Sequence, residues 1–326
     1  MKKINFFADI LGENNLTLIN ERLADATLMT TNKDMLRQCY VNVEKLPDTC
    51  LTAFRSYCMR LLPERSNNAH QVLSRPVTDF IEKLRPWGNS PAMRILVGCP
   101  GVGKSTFLYY FFDYYEKYFS ENDIAVIIMD LHAISDGDIH FLYQSIYRVL
   151  QLKKLTSSDI ANPTAHQVVN EIISVVANRK LIIVFDNIDK CESFNGETAL
   201  LKEILKISSE LREQQNVKII VSIRKITVHL HSHNELFSRM RLHYDYIPAP
   251  PINIVLINKM SYIMADIRIE YRSIRYEIPS IRPDAVSITV TENHKKIFEY
   301  LPRTMDTEIN EYLYHLSNGN IRSNSR

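Results

Sequence analysis

The chain has 326 residues, 45% hydrophobic and 23% charged, the balance of a folded globular protein with room for two or three domains. Lys and Arg total 39 against 37 Asp and Glu, so a net charge of +2 supplies no global attraction to nucleic acid or to a membrane surface, and any such patch has to be local. Five scattered cysteines without a C-x-x-C pair indicate neither a disulfide framework nor a zinc ribbon, no apolar run reaches membrane-spanning length, and a cytoplasmic protein is expected.

The first twelve residues start like a charged leader, but Asn5 and Asp9 interrupt the apolar stretch before it reaches signal-peptide length. Up to residue 68, apolar residues such as Leu46, Cys50, Phe54 and Cys58 recur at loosely helical spacing, and 1–68 reads as a helical N-terminal region. From residue 69 the pattern changes to β-branched runs alternating with amphipathic stretches, which predicts a parallel sheet with helices on both faces. The expected strands are 93–97, 124–130, 181–186, 217–222 and 242–247, with helices at 104–119, 138–152, 165–178 and 197–213. Pro248, Pro250 and Pro251 mark a boundary, so 69–250 forms a core domain and 251–326 a second one. In the latter, a charged, irregular stretch at 268–283 precedes a short apolar run at 286–290 and two further helical segments.

Residues 98–106, Gly-Cys-Pro-Gly-Val-Gly-Lys-Ser-Thr, complete a G-x-x-x-x-G-K-[ST] phosphate-binding loop between a predicted strand and a predicted helix. In such a loop Gly98, Gly101 and Gly103 let the backbone N–H groups of Cys99, Pro100's neighbours and Val102 turn toward phosphate, aided by the positive end of the following helix. Lys104 reaches the β/γ oxygens, Ser105 ligates Mg²⁺, and Thr106 completes the loop. The run Leu181–Asp189 is a buried strand ending in acids, and Asp186 is placed to hold Mg²⁺ opposite Ser105. Asp189 or Asn187 has to orient the attacking water if hydrolysis occurs, and Asn cannot take a proton.

Together the loop, the strand ending Asp186-Asn187-Ile188-Asp189 and the strand 124–130 resemble the additional-strand P-loop ATPases, the branch containing AAA+ and signal-transduction (STAND) NTPases. The resemblance implies an α/β P-loop NTPase with ATP and Mg²⁺ as ligands and a small C-terminal lid. It makes Arg224, after the strand 217–222, similar to a γ-phosphate sensor. Arg239 matches the arginine finger offered to a neighbouring subunit, and Arg322, in Ser-Asn-Gly-Asn-Ile-Arg, matches the lid's sensor 2. Where most AAA+ ATPases carry Glu after the Mg²⁺ carboxylate this chain has Asn187, which implies slow turnover with Asp189 as substitute. The chain stops four residues after Arg322, so the lid is expected to be incomplete.

Three other patterns carry less weight. Cys99 lies inside the loop, where a lowered thiol pKa would make it reactive, but a small residue at a variable position is the simpler reading. His229, His231 and His233 would share one face of a strand, without a fourth ligand at a recognisable spacing. Arg268, Tyr271, Arg272, Arg275, Tyr276 and Arg282 interleave like a nucleic-acid strip, but nearby acids favour a solvated lid surface. The expectation is an ATP-dependent switch with weak ATPase activity, working with copies of itself or with an effector protein. A DNA-associated initiator or loader and a non-hydrolysing interaction module remain as alternatives.

Overall fold

Six strands form one parallel sheet, and their order explains where the chemistry collects. The computed structural model describes residues 32–48, 52, 54, 70–88, 93–133, 138–190, 193–231, 242–251, 254–255, 258–259 and 261–262, and the backbone of 275–277 and 287–289. The described residues divide into two compact units, one running from Asn42 to Ala249 and the other comprising residues 32–41 and those from Pro250 onward.

In the larger unit the chain runs β1 (His70–Val72), α2 (Pro76–Leu84), β2 (Met93–Gly98), α3 (Lys104–Tyr114), α4 (Glu116–Glu121), β3 (Ile124–Asp130), α5 (Ile139–Leu152), α6 (Ala165–Val176), β4 (Lys180–Asp186), α7 (Phe194–Glu210), β5 (Val217–Arg224), α8 (Lys225–His231) and β6 (His243–Tyr246). The preceding helix α1 (Lys33–Cys39) belongs to the other unit. The sheet order is β1-β6-β2-β5-β4-β3, every pair parallel, so β5 is inserted between the loop strand β2 and the acid-bearing strand β4.

All six residues of β2, and all but one in each of β4 and β5, are buried, which is why these strands read as continuous apolar runs. Helices cover them with aromatic and β-branched faces: Phe80 of α2 meets Phe107 and Phe111 of α3 edge-on, at 5.5 and 5.0 Å between centroids. The single helix expected over 104–119 is two, because Tyr115 leaves helical geometry (φ −102°, ψ 16°). Side chains close the helix starts: Asp138 accepts from the Phe141 N–H, Ser193 from the Gly196 N–H, and Thr164 forms a capping box with Gln167.

Helix α2 lacks a cap of its own; it opens on Arg75-Pro76. Glu44 supplies one from afar, accepting from the Val77 and Thr78 N–H groups at 2.7 and 2.9 Å and from the Thr78 hydroxyl at 2.5 Å. Residues 42–48 are thereby fixed on the core unit, ahead of the start at 69 that composition suggests. Beneath the sheet, Asp245 of β6 is fully buried and takes Arg94 of β2 (Nε 2.8 Å, Nη2 3.2 Å) together with the Lys83 ammonium of α2.

In the other unit α1 is capped by Asn32, which accepts from the Met35 N–H at 3.1 Å, and it buries Met35, Leu36 and Cys39. Burial pushes the Cys39 thiol up to about 11, which keeps it protonated and inert. Strands β7 (Arg275–Glu277) and β8 (Ser287–Thr289) pair antiparallel. Thus β8 falls on the apolar run expected at 286–290, whereas β7 lies in the stretch expected to be irregular. His229 and His231 are helical, two residues apart on α8, so the one-faced strand arrangement does not form there. His233 lies outside the described residues.

Candidate nucleotide site

At the C-terminal edge of the sheet, β2 ends in Gly98 and the chain turns through 99–103 into α3. The turn closes with the Val102 N–H donating to the Cys99 carbonyl at 3.3 Å. Gly103 stands at the N-cap of α3 in the left-handed region (φ 94°), so the first helical amides are left without side-chain caps and are offered to an anion. Lys104 folds back over the loop, its Nζ donating to the Gly98 carbonyl at 3.2 Å.

Gly98 is required by close approach. A Cβ there would sit 2.7 Å from Val102 Cγ1 and 3.2 and 3.3 Å from the Lys104 Cγ and Cδ, and Val102 is buried and cannot retreat. Gly98→Ala is therefore expected to displace the loop, destabilising the fold by about 1–3 kcal/mol. It should weaken nucleotide binding at least roughly tenfold, measured by chemical denaturation and by titration with a fluorescent nucleotide; unchanged affinity would contradict the cradle.

Asp186, the last residue of β4, is 1% exposed, and neither carboxylate oxygen has a hydrogen-bond partner. Burial raises its pKa above the ordinary aspartate value, and the nearby Asp130 charge adds to that. The Ser105 and Ser222 hydroxyls and the Asn187 N–H, all close by, pull it partly down again. A buried carboxylate with two unmatched oxygens is costly without a cation. The hard oxygen donors of Asp186 and Ser105 suit Mg²⁺, which takes one or two protein ligands and completes its shell with phosphate and water. Among the described residues no cluster of three or more His, Cys, Asp or Glu able to hold a metal occurs.

Around this pair the sheet register gathers further groups. Arg224 at the end of β5 is paired with Gly98, which puts the sensor-like arginine beside the loop's first glycine. Asp130 at the end of β3 is paired with Asp186. Asn187 follows in the left-handed region (φ 61°), its Nδ2 donating to Asp130 Oδ1 at 2.8 Å while its Oδ1 lies 3.5 Å from the Ser105 hydroxyl. Tyr109 of α3 feels both acids: burial first, then the charges of Asp130 and Asp186, push its phenol up to about 12.

The structure thus brings together residues 98–106, Asp186 and Arg224. Asp189 lies in a 3-10 turn, Ile188–Lys190, and its side chain lies outside the described residues, as do Arg239 and Arg322. Sequence reasoning gave no role to Asp130; the available signal was an acid closing an apolar run on the neighbouring strand, as Asp186 does on β4, although Asp130 is exposed where Asp186 is buried.

Residues 88–227 match the family model described as AAA domain. With the inserted strand β5, the loop and Asp186 at their strand ends, these residues are a P-loop NTPase domain of the additional-strand branch. No curated protein matches the chain. Among solved structures, the Aeropyrum pernix ORC1 protein in complex with DNA is similar at 17% identity and a TM-score of 0.41, over 63% of this chain and 51% of that one. A Walker-type ATPase of Pyrococcus abyssi is similar at 15% identity and a TM-score of 0.43, over 77% and 69%. Caenorhabditis elegans PCH-2 gives 12% identity and 0.39, over 77% and 62%. The chain spans about half the length of the ORC1 protein it matches. No helix among the described residues is long and apolar enough to cross a membrane.

Proposed function

We propose that this protein binds ATP with Mg²⁺ and hydrolyses it slowly, acting as a nucleotide-controlled switch. The observation that carries the reading is the pairing of a glycine cradle too tight for a Cβ with a buried carboxylate whose oxygens lack protein partners. In it, loop amides and Lys104 hold the triphosphate, and Ser105 and Asp186 hold Mg²⁺, whose charge offsets that of the phosphates. Arg224, beside Gly98, senses the γ-phosphate. Asn187 in place of an acid removes one water-activating group and lengthens the ATP-bound state, the behaviour of a STAND-like switch, with Asp189 as the substitute base. Arg239 acts on a neighbouring copy and Arg322 reports from the lid, so ATP governs assembly with further copies or an effector protein, in the cytosol. The γ-phosphate contacts exist in one nucleotide state only, which is what lets hydrolysis move a domain.

Lys104→Ala tests the site. It is expected to weaken Mg-ATP binding by roughly 100-fold, about 2.7 kcal/mol, in isothermal titration. Retained affinity would refute the assignment. Turnover whose specific rate rises with protein concentration would identify a finger supplied by a second copy.

A further inference from the structure

Asn187 occupies the place where an acid would activate water, but its side chain is engaged in a different way. Its amide links two groups from different elements: Asp130 Oδ1 accepts from Nδ2 at 2.8 Å, and the Ser105 hydroxyl lies 3.5 Å from Oδ1. A carboxylate only accepts, so Asp130 dictates which end of the amide faces it. The NH₂ turns to Asp130 and the carbonyl oxygen is left facing Ser105. Asp130 is itself held, because its Oδ1 also accepts the His132 N–H at 3.0 Å from the 3-10 turn that follows β3.

The consequence falls on Ser105. Its hydroxyl has one proton and two lone pairs. Two acceptors lie near it, the Asp186 carboxylate and Asn187 Oδ1. With Asp186 committed to a cation, Asn187 Oδ1 takes the proton, and both serine lone pairs turn away from the amide. We propose that Asp130, acting through Asn187, is a positioning residue that orients the Ser105 hydroxyl as a Mg²⁺ ligand. This rests on the nucleotide-site reading above. An outer partner that fixes the donor state of a metal ligand is worth tenfold to a hundredfold in metal affinity, on the order of other such arrangements. Asn serves at 187 better than an acid would, because a carboxylate there would face Asp130 with like charge.

The test compares ATP affinity with Mg²⁺ and in EDTA for the wild type, Asp130→Ala and Asp130→Asn. Asp130→Ala is expected to weaken Mg-ATP binding roughly 10- to 100-fold while leaving ATP binding in EDTA unchanged. Asp130→Asn keeps a carbonyl, and the His132 N–H, which donates to the same oxygen as Asn187 does, holds that carbonyl rather than the new NH₂ toward Asn187, so this variant is expected to stay within about threefold of the wild type. The proposal is overturned if Asp130→Ala matches the wild type with Mg²⁺, if it loses affinity equally with and without Mg²⁺, or if Asp130→Asn fails as badly as Asp130→Ala. A wild type that binds no ATP in either condition overturns the nucleotide-site reading, and this inference with it.

Discussion

Asp245→Ala is expected to destabilise the protein by about 3–5 kcal/mol, because it strands the buried Arg94 guanidinium and the Lys83 ammonium without their shared counter-ion. In a domain of this size the melting temperature should fall by about 10 °C or more, read by calorimetry or circular dichroism. The loss reflects the uncompensated charge more than the value of the pair. Burial already lowers the Lys83 pKa, against the pull of Asp245, so removing the acid leaves that lysine with desolvation alone. Replacing Lys83, Arg94 and Asp245 together by apolar residues of similar size should therefore cost less than Asp245→Ala by itself. Equal losses for the triple and the single variant would show that the charges are solvated.

The second large effect has opposite signs in two conditions. Asp186→Asn is expected to stabilise the nucleotide-free protein and to abolish its stabilisation by Mg-ATP. The folded-state pKa of Asp186 is raised, chiefly by burial, so its charged form costs stability. That cost is absent below the ordinary aspartate pKa, grows as pH rises through the carboxylate range, and is full above the folded-state value. The wild type should accordingly lose more stability than Asp186→Asn as pH rises through that window, in thermal melts without nucleotide. At a Mg-ATP concentration 100 times Kd the wild type gains about 2.7 kcal/mol, and the variant should gain none of it. A variant stabilised by Mg-ATP as strongly as the wild type would remove Asp186 from the metal site.

The loop was legible because its chemistry is local: three glycines, Lys104 and Ser105 fall within one turn, and a strand and a helix flank them. The central strands were legible because burial on both faces leaves a continuous apolar signature. Edge strand β1, His70–Val72, is three residues long, too short for any periodicity. Helix α2 was missed for a related reason, since its cap is Glu44, 33 residues before Val77. The break at Tyr115 is hidden in an aromatic run that is compatible with one long helix. The role of Arg94 in an otherwise apolar strand was not legible, because its partner Asp245 stands 151 residues later. The Asp130–Asn187 contact spans 57 residues and two strands, so no spacing rule reaches it.

The order of the sheet also has a consequence for synthesis. The strand that leads into the phosphate loop, β2, is bordered on one side by β5 and on the other by β6, both of which come later in the chain. A nascent polypeptide extending only through β4 contains every loop residue and Asp186, yet has neither neighbour that holds β2 in register. Long-range parallel pairing of this kind forms late, after the entropy of a large loop has been spent. The register of β2, and with it the geometry of the loop that follows, is therefore completed only once β6, ending at Tyr246, has been made, and until then the apolar faces of β2 and of α3 lack part of their cover.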